Sequence, residues 1–205
     1  MTTETISGAA QRFLLDTAVE AIRAHLEHRR LGPVPIPDAE PGPPIEAREP
    51  GASFVTLREG RQLLGCVGSM SPVRPLQEDV AANALNAAFA DPRLPLLTPG
   101  EFETMEVKVS VLGPLEPIEV RSLTQLAAVV RPGVDGLLVS GGSHRGTFLP
   151  SVWEQVTSVE EFLSMLWSKA GLRPGAWPRG LHVERYQTTE FGDPGPRRPI
   201  DGRRS

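Results

Sequence analysis

The stretch TMEVKVSVL, Thr104 to Leu112, alternates Met105, Val107, Val109 and Val111 with Glu106, Lys108 and Ser110. Side chains along a strand point to opposite faces in turn, so a period of two predicts a strand with one face buried and the other in water. Upstream, Ala52 to Leu57 and Gln62 to Gly68 are short β-prone runs separated by Arg58-Glu59-Gly60-Arg61. They predict a hairpin with glycine in the turn and Cys66 on the second strand. Between hairpin and strand, a segment beginning at Pro75 and rich in alanine (VAANALNAAFA) predicts a helix. It should end before Asp91-Pro92, because a residue ahead of proline avoids the α region, and its small side chains should pack closely.

Further out, Phe13, Leu14, Ala18, Ala21, Ile22 and Leu26 recur at helical spacing between Ser7 and about His28, so an amphipathic helix is expected there. Residues 32–51 carry seven prolines and read as an extended linker. Downstream, the sequence predicts a short helix after Ser122, a strand near Leu137 to Ser140, a glycine-rich turn, and a return strand through Phe148. Ser158 and Glu161 form a capping-box pattern that opens a helix burying Val159, Phe162, Leu163 and Leu166, with Gly171 at the left-handed cap position. A strand from Leu181 to Tyr186 follows, and residues 192–205 read as a disordered tail. Helices and hairpins without regular strand–helix alternation indicate α+β with a mainly antiparallel sheet and packed helices, one domain over residues 1–191 in one lobe or two.

The chain has 205 residues, 40% hydrophobic and 22% charged, which is ordinary globular composition. A net charge of -4 with scattered Lys and Arg gives no basic field, so nucleic acid is not an expected partner. No stretch reaches the roughly 20 apolar residues of a membrane helix, and the first residues lack a secretory layout, so the expected location is cytoplasmic. One cysteine cannot form an intrachain disulfide or supply a cysteine-rich zinc or iron–sulfur site, and no cofactor is predicted. His25 and His28 share a helical face without a third ligand at a recognisable spacing, so no metal is predicted either.

Leu63-Leu64-Gly65-Cys66-Val67-Gly68 is the main candidate for chemistry. Glycines on both sides permit close approach of a ligand or of another backbone. As a nucleophile, Cys66 needs a nearby cation or helix N-terminus, with the amides of Val67 or Gly68 available to a developing oxyanion. The competing reading is a structural cysteine whose glycines mark a bulge or tight packing. The loop Gly141 to Gly146 offers His144 as an acid–base group and Arg145 as an anion clamp, although a loop joining two strands reads first as a hairpin turn. Asp135, Ser143 and His144 lie near one another in sequence, which alone does not make a triad.

The motifs LLGCVGS (63–69), DPRLPLLTPGEF (91–102), VSVLGPLEPI (109–118), GTFLPSVWEQV (146–156) and KAGL (169–172), in this order, resemble the AMMECR-type domain, called AmmeMemoRadiSam system protein A in prokaryotes. The resemblance spans roughly Ser7 to Phe191. It implies an α+β fold with a cleft lined by the cysteine motif, a pathway shared with a Memo-type protein and a radical SAM protein, and no particular reaction. Gly65, Val67, Gly68, Asp91 and Arg93 are candidate ligand contacts around Cys66, with an unknown small molecule as ligand. Asp91, Arg93 and Glu101 also read as turn and helix-end residues.

The chain departs from the family pattern LRGCIG by carrying Leu64 for arginine and Val67 for isoleucine. In a regular strand, positions 64 and 66 share a face about 7 Å apart, so an arginine there would sit beside the thiol. Its absence leaves Arg61, Arg74 or Arg145 to supply the charge, and Arg145 is the expected substitute. Catalysis therefore stands beside a noncatalytic binding or scaffold role.

Overall fold

Phe13, Leu14, Ala18, Ala21 and Ile22 are all buried on one face of α1 (Gly8–His28), as their spacing predicts. The structure, a computed structural model, describes residues 6–28 and 42–200. Of the expected linker, residues 32–41 lie outside the described ones, and the remainder is not extended throughout. Pro44 precedes a single helical turn, α2 (Ile45–Arg48), which buries Ala47 in the core. A helix start tolerates proline because the amide there has no intrahelical partner. β1 (Pro50–Gly51) follows.

β2 (Ser53–Glu59) and β3 (Gln62–Gly68) form the predicted hairpin, with Gly60 at φ 55° in the turn. Leu57 lies opposite Gly65 and Arg58 opposite Leu63, so Leu64 is an extra residue, a β-bulge. β4 (Arg74–Pro75) pairs with β1 and leads into α3 (Leu76–Phe89), the predicted alanine-rich helix. α4 (Pro99–Thr104) opens with a full capping box between Thr98 and Glu101. β5 (Glu106–Leu112) is the alternating stretch. It buries Val107, Val109 and Val111 and pairs antiparallel with β2, which buries Val55 and Leu57. Each such burial contributes about 1.5–3 kcal/mol.

The chain divides into two units, each with its own core. The smaller is Gly113–Thr188. Here β6 (Glu116–Pro117), α5 (Leu123–Val129, capped by Ser122), β7 (Gly136–Gly141), β8 (His144–Phe148), a 3-10 turn (Pro150–Gln155), α6 (Val159–Lys169) and β9 (His182–Tyr186) build an antiparallel sheet of order β6-β9-β7-β8 covered by helices. Trp153 stacks on Phe162 at 3.8 Å and donates through Nε1 to the Asp135 carbonyl. Ser158 caps α6 by accepting from the Glu161 amide, while the Glu161 carboxylate accepts from Thr157, so half of the expected box forms with Ser158 itself. Gly171, at φ 72°, completes a Schellman cap, with Leu172 N donating to Trp167 O and Gly171 N to Ser168 O.

The larger unit combines Thr2–Leu112 with Thr189–Ser205. β10 (Thr188–Asp193) brings the chain back to the first sheet, whose order is β10-β5-β2-β3. α1 packs on α3 and β5, and α3 covers β2 and β3, so one face of this sheet is core. Phe54, Thr56, Arg58, Cys66 and Lys108 belong to the other face. Of the expected tail at 192–205, residues 192–200 are described. Arg197, 4% exposed in its side chain, donates to the carbonyls of Met105 and Asp193, Arg23 donates to Arg198 O, and Ile200 packs on the core.

Candidate functional site

Cys66 is half-buried on β3 and directly opposite Thr56, whose hydroxyl donates to Sγ at 3.4 Å. β3 is an edge strand, and the outward amide and carbonyl of Cys66 are taken by two side chains from the segment after α3. Cys66 N donates to Asp91 Oδ2 at 3.1 Å, and the Arg93 guanidinium donates to Cys66 O at 2.9 Å. Arg93 also forks onto the Asp91 carboxylate at 2.7 and 2.8 Å. Together they pair the edge strand as a neighbouring strand would, which blunts an edge otherwise open to aggregation. Asp91, its side chain 2% exposed, is held well below the usual carboxylate range, chiefly by the Arg93 hydrogen bonds and, against the cost of burial, also by the Cys66 amide. Arg93 is raised, first by the same Asp91 bond.

The flanking glycines serve the protein's own packing. A Cβ on Gly65 would lie 1.9 Å from Ala87 O of α3, and one on Gly68 would lie 2.2 Å from the Phe54 ring. Val67 packs against the core. Because Cys66 turns its polar backbone outward, ladder alternation turns that of Val67 toward β2 and leaves the Gly68 amide as the outward one.

The bulge overturns one expectation. Leu64 is 6% exposed within the core, whereas Cys66 shares the opposite face with Thr56, so positions 64 and 66 do not share a face. The guanidinium at Cys66 is that of Arg93, which sits on the backbone carbonyl. Arg74 is committed to Asp79, and Arg61 lies exposed in the hairpin turn. Arg145 is exposed on β8 of the smaller unit, where it pairs across from Ser140. His144 places Nδ1 3.2 Å from Ala170 O, at the C-terminal end of α6. The loop between β7 and β8 is a hairpin turn with Gly142 at φ 59°. Asp135 is fully buried and paired with Arg131 and Arg185, which fixes it as a structural carboxylate. His25 lies 4.1 Å from the Phe89 ring centroid.

Beside Thr56, the outer face holds an open depression of about 480 Å³, lined by Arg58, Glu106, Lys108 and Glu190 and walled by Gly192 to Pro194. Lys108 pairs with Glu190, which also accepts from Ser110 Oγ at 3.0 Å. Sequence reading missed this place because it depends on β10, whose Thr-Thr-Glu-Phe-Gly-Asp run has no clear alternation. It missed a second cluster as well. Asp79, with no exposed side-chain surface, accepts from Ser53 N, Ser53 Oγ, Ser69 Oγ, Arg74 Nε and Asn83 Nδ2 at 2.8–3.0 Å. An acidic residue on the inward face of an alanine-rich helix was the available signal.

Among the described residues, no helix is long and apolar enough to cross a membrane, and no three His, Cys, Asp or Glu side chains gather as a metal site. A family model described as AMMECR1 matches residues 15–191. A protein of Thermofilum pendens is 37% identical over 94% of this chain and 93% of its own length. One of Methanothermobacter thermautotrophicus is 39% identical over 90% and 94%. The crystal structure of the uncharacterized protein PH0010 from Pyrococcus horikoshii matches with a TM-score of 0.84 at 32% identity, covering 96% of this chain and 97% of that one.

Proposed function

The chain belongs to the AMMECR1 family, and from that premise we propose that its larger unit binds a small polar molecule on the outer face of its sheet, with Cys66 as a contact residue. The observation that carries this is the half-exposed thiol bonded to Thr56, whose other neighbours line an open, charged depression. Ligand sites are commonly concave, with a few convergent polar groups. The Arg93 guanidinium, bonded to Asp91 and to the Cys66 carbonyl, also lies within electrostatic reach of the thiol, so a cysteine-dependent reaction is the alternative reading. In the binding reading the protein is a component of a modification pathway, presenting or protecting a ligand for a Memo-type and a radical SAM partner.

The test is the rate of Cys66 alkylation against pH, followed by intact mass, with and without cell-derived small-molecule fractions. The single cysteine makes every adduct assignable. Alkylation of the folded protein that a fraction slows supports the binding reading. A rate already at its plateau at neutral pH indicates an activated thiolate and turns the reading to an enzyme. No alkylation before unfolding removes Cys66 from any site.

A further inference from the structure

The charges that line the depression mostly cancel inside the protein. Lys108 is paired with Glu190, and Asp193 is paired with Arg197. What remains is one guanidinium and one carboxylate, Arg58 and Glu106, which face each other directly across β2 and β5. Side chains so placed have Cβ atoms about 4.5–5.5 Å apart, and opposite charges there ordinarily close on each other. Here, among the described residues, neither side chain has a hydrogen bond or ion pair with the other or with any third group. A ligand bearing only an anion would meet Glu106, and one bearing only a cation would meet Arg58, so each is penalised by one of the two. A ligand carrying both charges a few ångströms apart satisfies both. Arginine grips carboxylates through a planar fork, and a carboxylate accepts from an ammonium.

We propose that the depression takes a small zwitterion with an ammonium and a carboxylate on one carbon, the class of free α-amino acids, with the carboxylate on Arg58 and the ammonium on Glu106. Pro194 supplies apolar lining for the rest of the molecule, and the Cys66–Thr56 pair borders it. The inference rests on the binding reading above and names its ligand class.

The experiment titrates the full chain with each of the twenty standard amino acids, and with the matched carboxylic acid and amine of any that bind. Amide chemical shifts on β2 and β5 and the rate of Cys66 alkylation are the readouts. At least one amino acid is expected to shift Arg58 and Glu106 and slow alkylation, with each single-charge analogue at least tenfold weaker. Arg58→Gln and Glu106→Gln should each weaken binding about tenfold while the unfolding midpoint holds. Equal binding by the carboxylate alone or the amine alone, binding untouched by either variant, or no binding by any amino acid overturns the zwitterion class. Protection of Cys66 by a singly charged analogue, or by inorganic phosphate, would leave the broader binding reading standing. If no small molecule protects it, both fall.

Discussion

Replacing Asp91 with asparagine keeps its shape and removes its charge, and the structure says what that loses. The carboxylate accepts from Cys66 N, Arg93 N, Arg93 Nε and the terminal Arg93 nitrogen, at 2.7–3.1 Å, with its side chain 2% exposed. A carboxamide has one acceptor oxygen and turns an NH2 group toward either the guanidinium or the Cys66 amide. Bonds to a charged group contribute about 1.5–3 kcal/mol, and breaking a fully buried pair costs about 3–5 kcal/mol. Arg93 is 61% exposed and regains water, so the loss belongs near the lower figure, about 2 kcal/mol. All three tryptophans, Trp153, Trp167 and Trp177, lie in the smaller unit, so their fluorescence reports the wrong core. Urea unfolding should instead be followed by amide signals of β2, β3 and β5, with hydrogen exchange at Cys66 N as the local probe. The folded carboxyl sits below its usual 3.8, so its stabilisation is present in full above that value and is lost as pH falls toward the folded one. The gap between wild type and variant should therefore narrow below about pH 4. A gap that stays constant to pH 2.5, or unchanged exchange at Cys66, would refute the edge-pairing role.

Asp79→Asn should cost more than Asp91→Asn, about 3–4 kcal/mol by the same urea assay, because five donors converge on a carboxylate with no exposed surface. Gly65→Ala should cost more than about 3 kcal/mol, since its Cβ meets a backbone oxygen that a helix holds fixed. Gly60→Ala is the control, with open space around it and only its φ of 55° to penalise it, at about 1 kcal/mol. Leu64→Arg puts a guanidinium where Leu64 is packed in the core and should cost about 3 kcal/mol or more in the same urea assay; a variant of unchanged stability would show that position 64 faces solvent on the side of Cys66.

Much of the fold was legible because local rules set it. The period of two at Thr104 to Leu112, the spacing along α1, the Ser122 and Ser158 caps and the left-handed Gly171 each depend on a few neighbouring residues. What stayed hidden depends on partners far along the chain. The glycines of LLGCVG allowed for a bulge, but its place at Leu64 is a matter of register against β2 that the motif does not state. β10 exists because β5 offers an edge, and α2 because Ala47 finds a core. Arg197 sits in a stretch of breakers and charges that reads as tail, yet the carbonyls of Met105 and Asp193 are waiting for it.

The same distinction explains why the candidate site was read only in part. A recurring polar motif invites a ligand-binding reading, yet in DPRLPLLTPGEF the acid and base pair an edge strand, Thr98 and Glu101 cap a helix, and Leu97 and Phe102 fill the core. KAGL is a Schellman cap, and in GTFLPSVWEQV Thr147 bonds Leu137 O while Trp153 holds Asp135 O. Most of these groups are bonded inside the protein, and Arg93, 61% exposed, is the one that keeps donors for a ligand. Of the motif residues, Cys66 keeps a reactive atom turned toward Thr56, and the charges beside it that stay unspent, Arg58 and Glu106, lie outside every motif that carried the resemblance. If those residues bind the ligand, the shared motifs encode the scaffold and the thiol, and the choice of ligand rests on side chains that motif reading passes over.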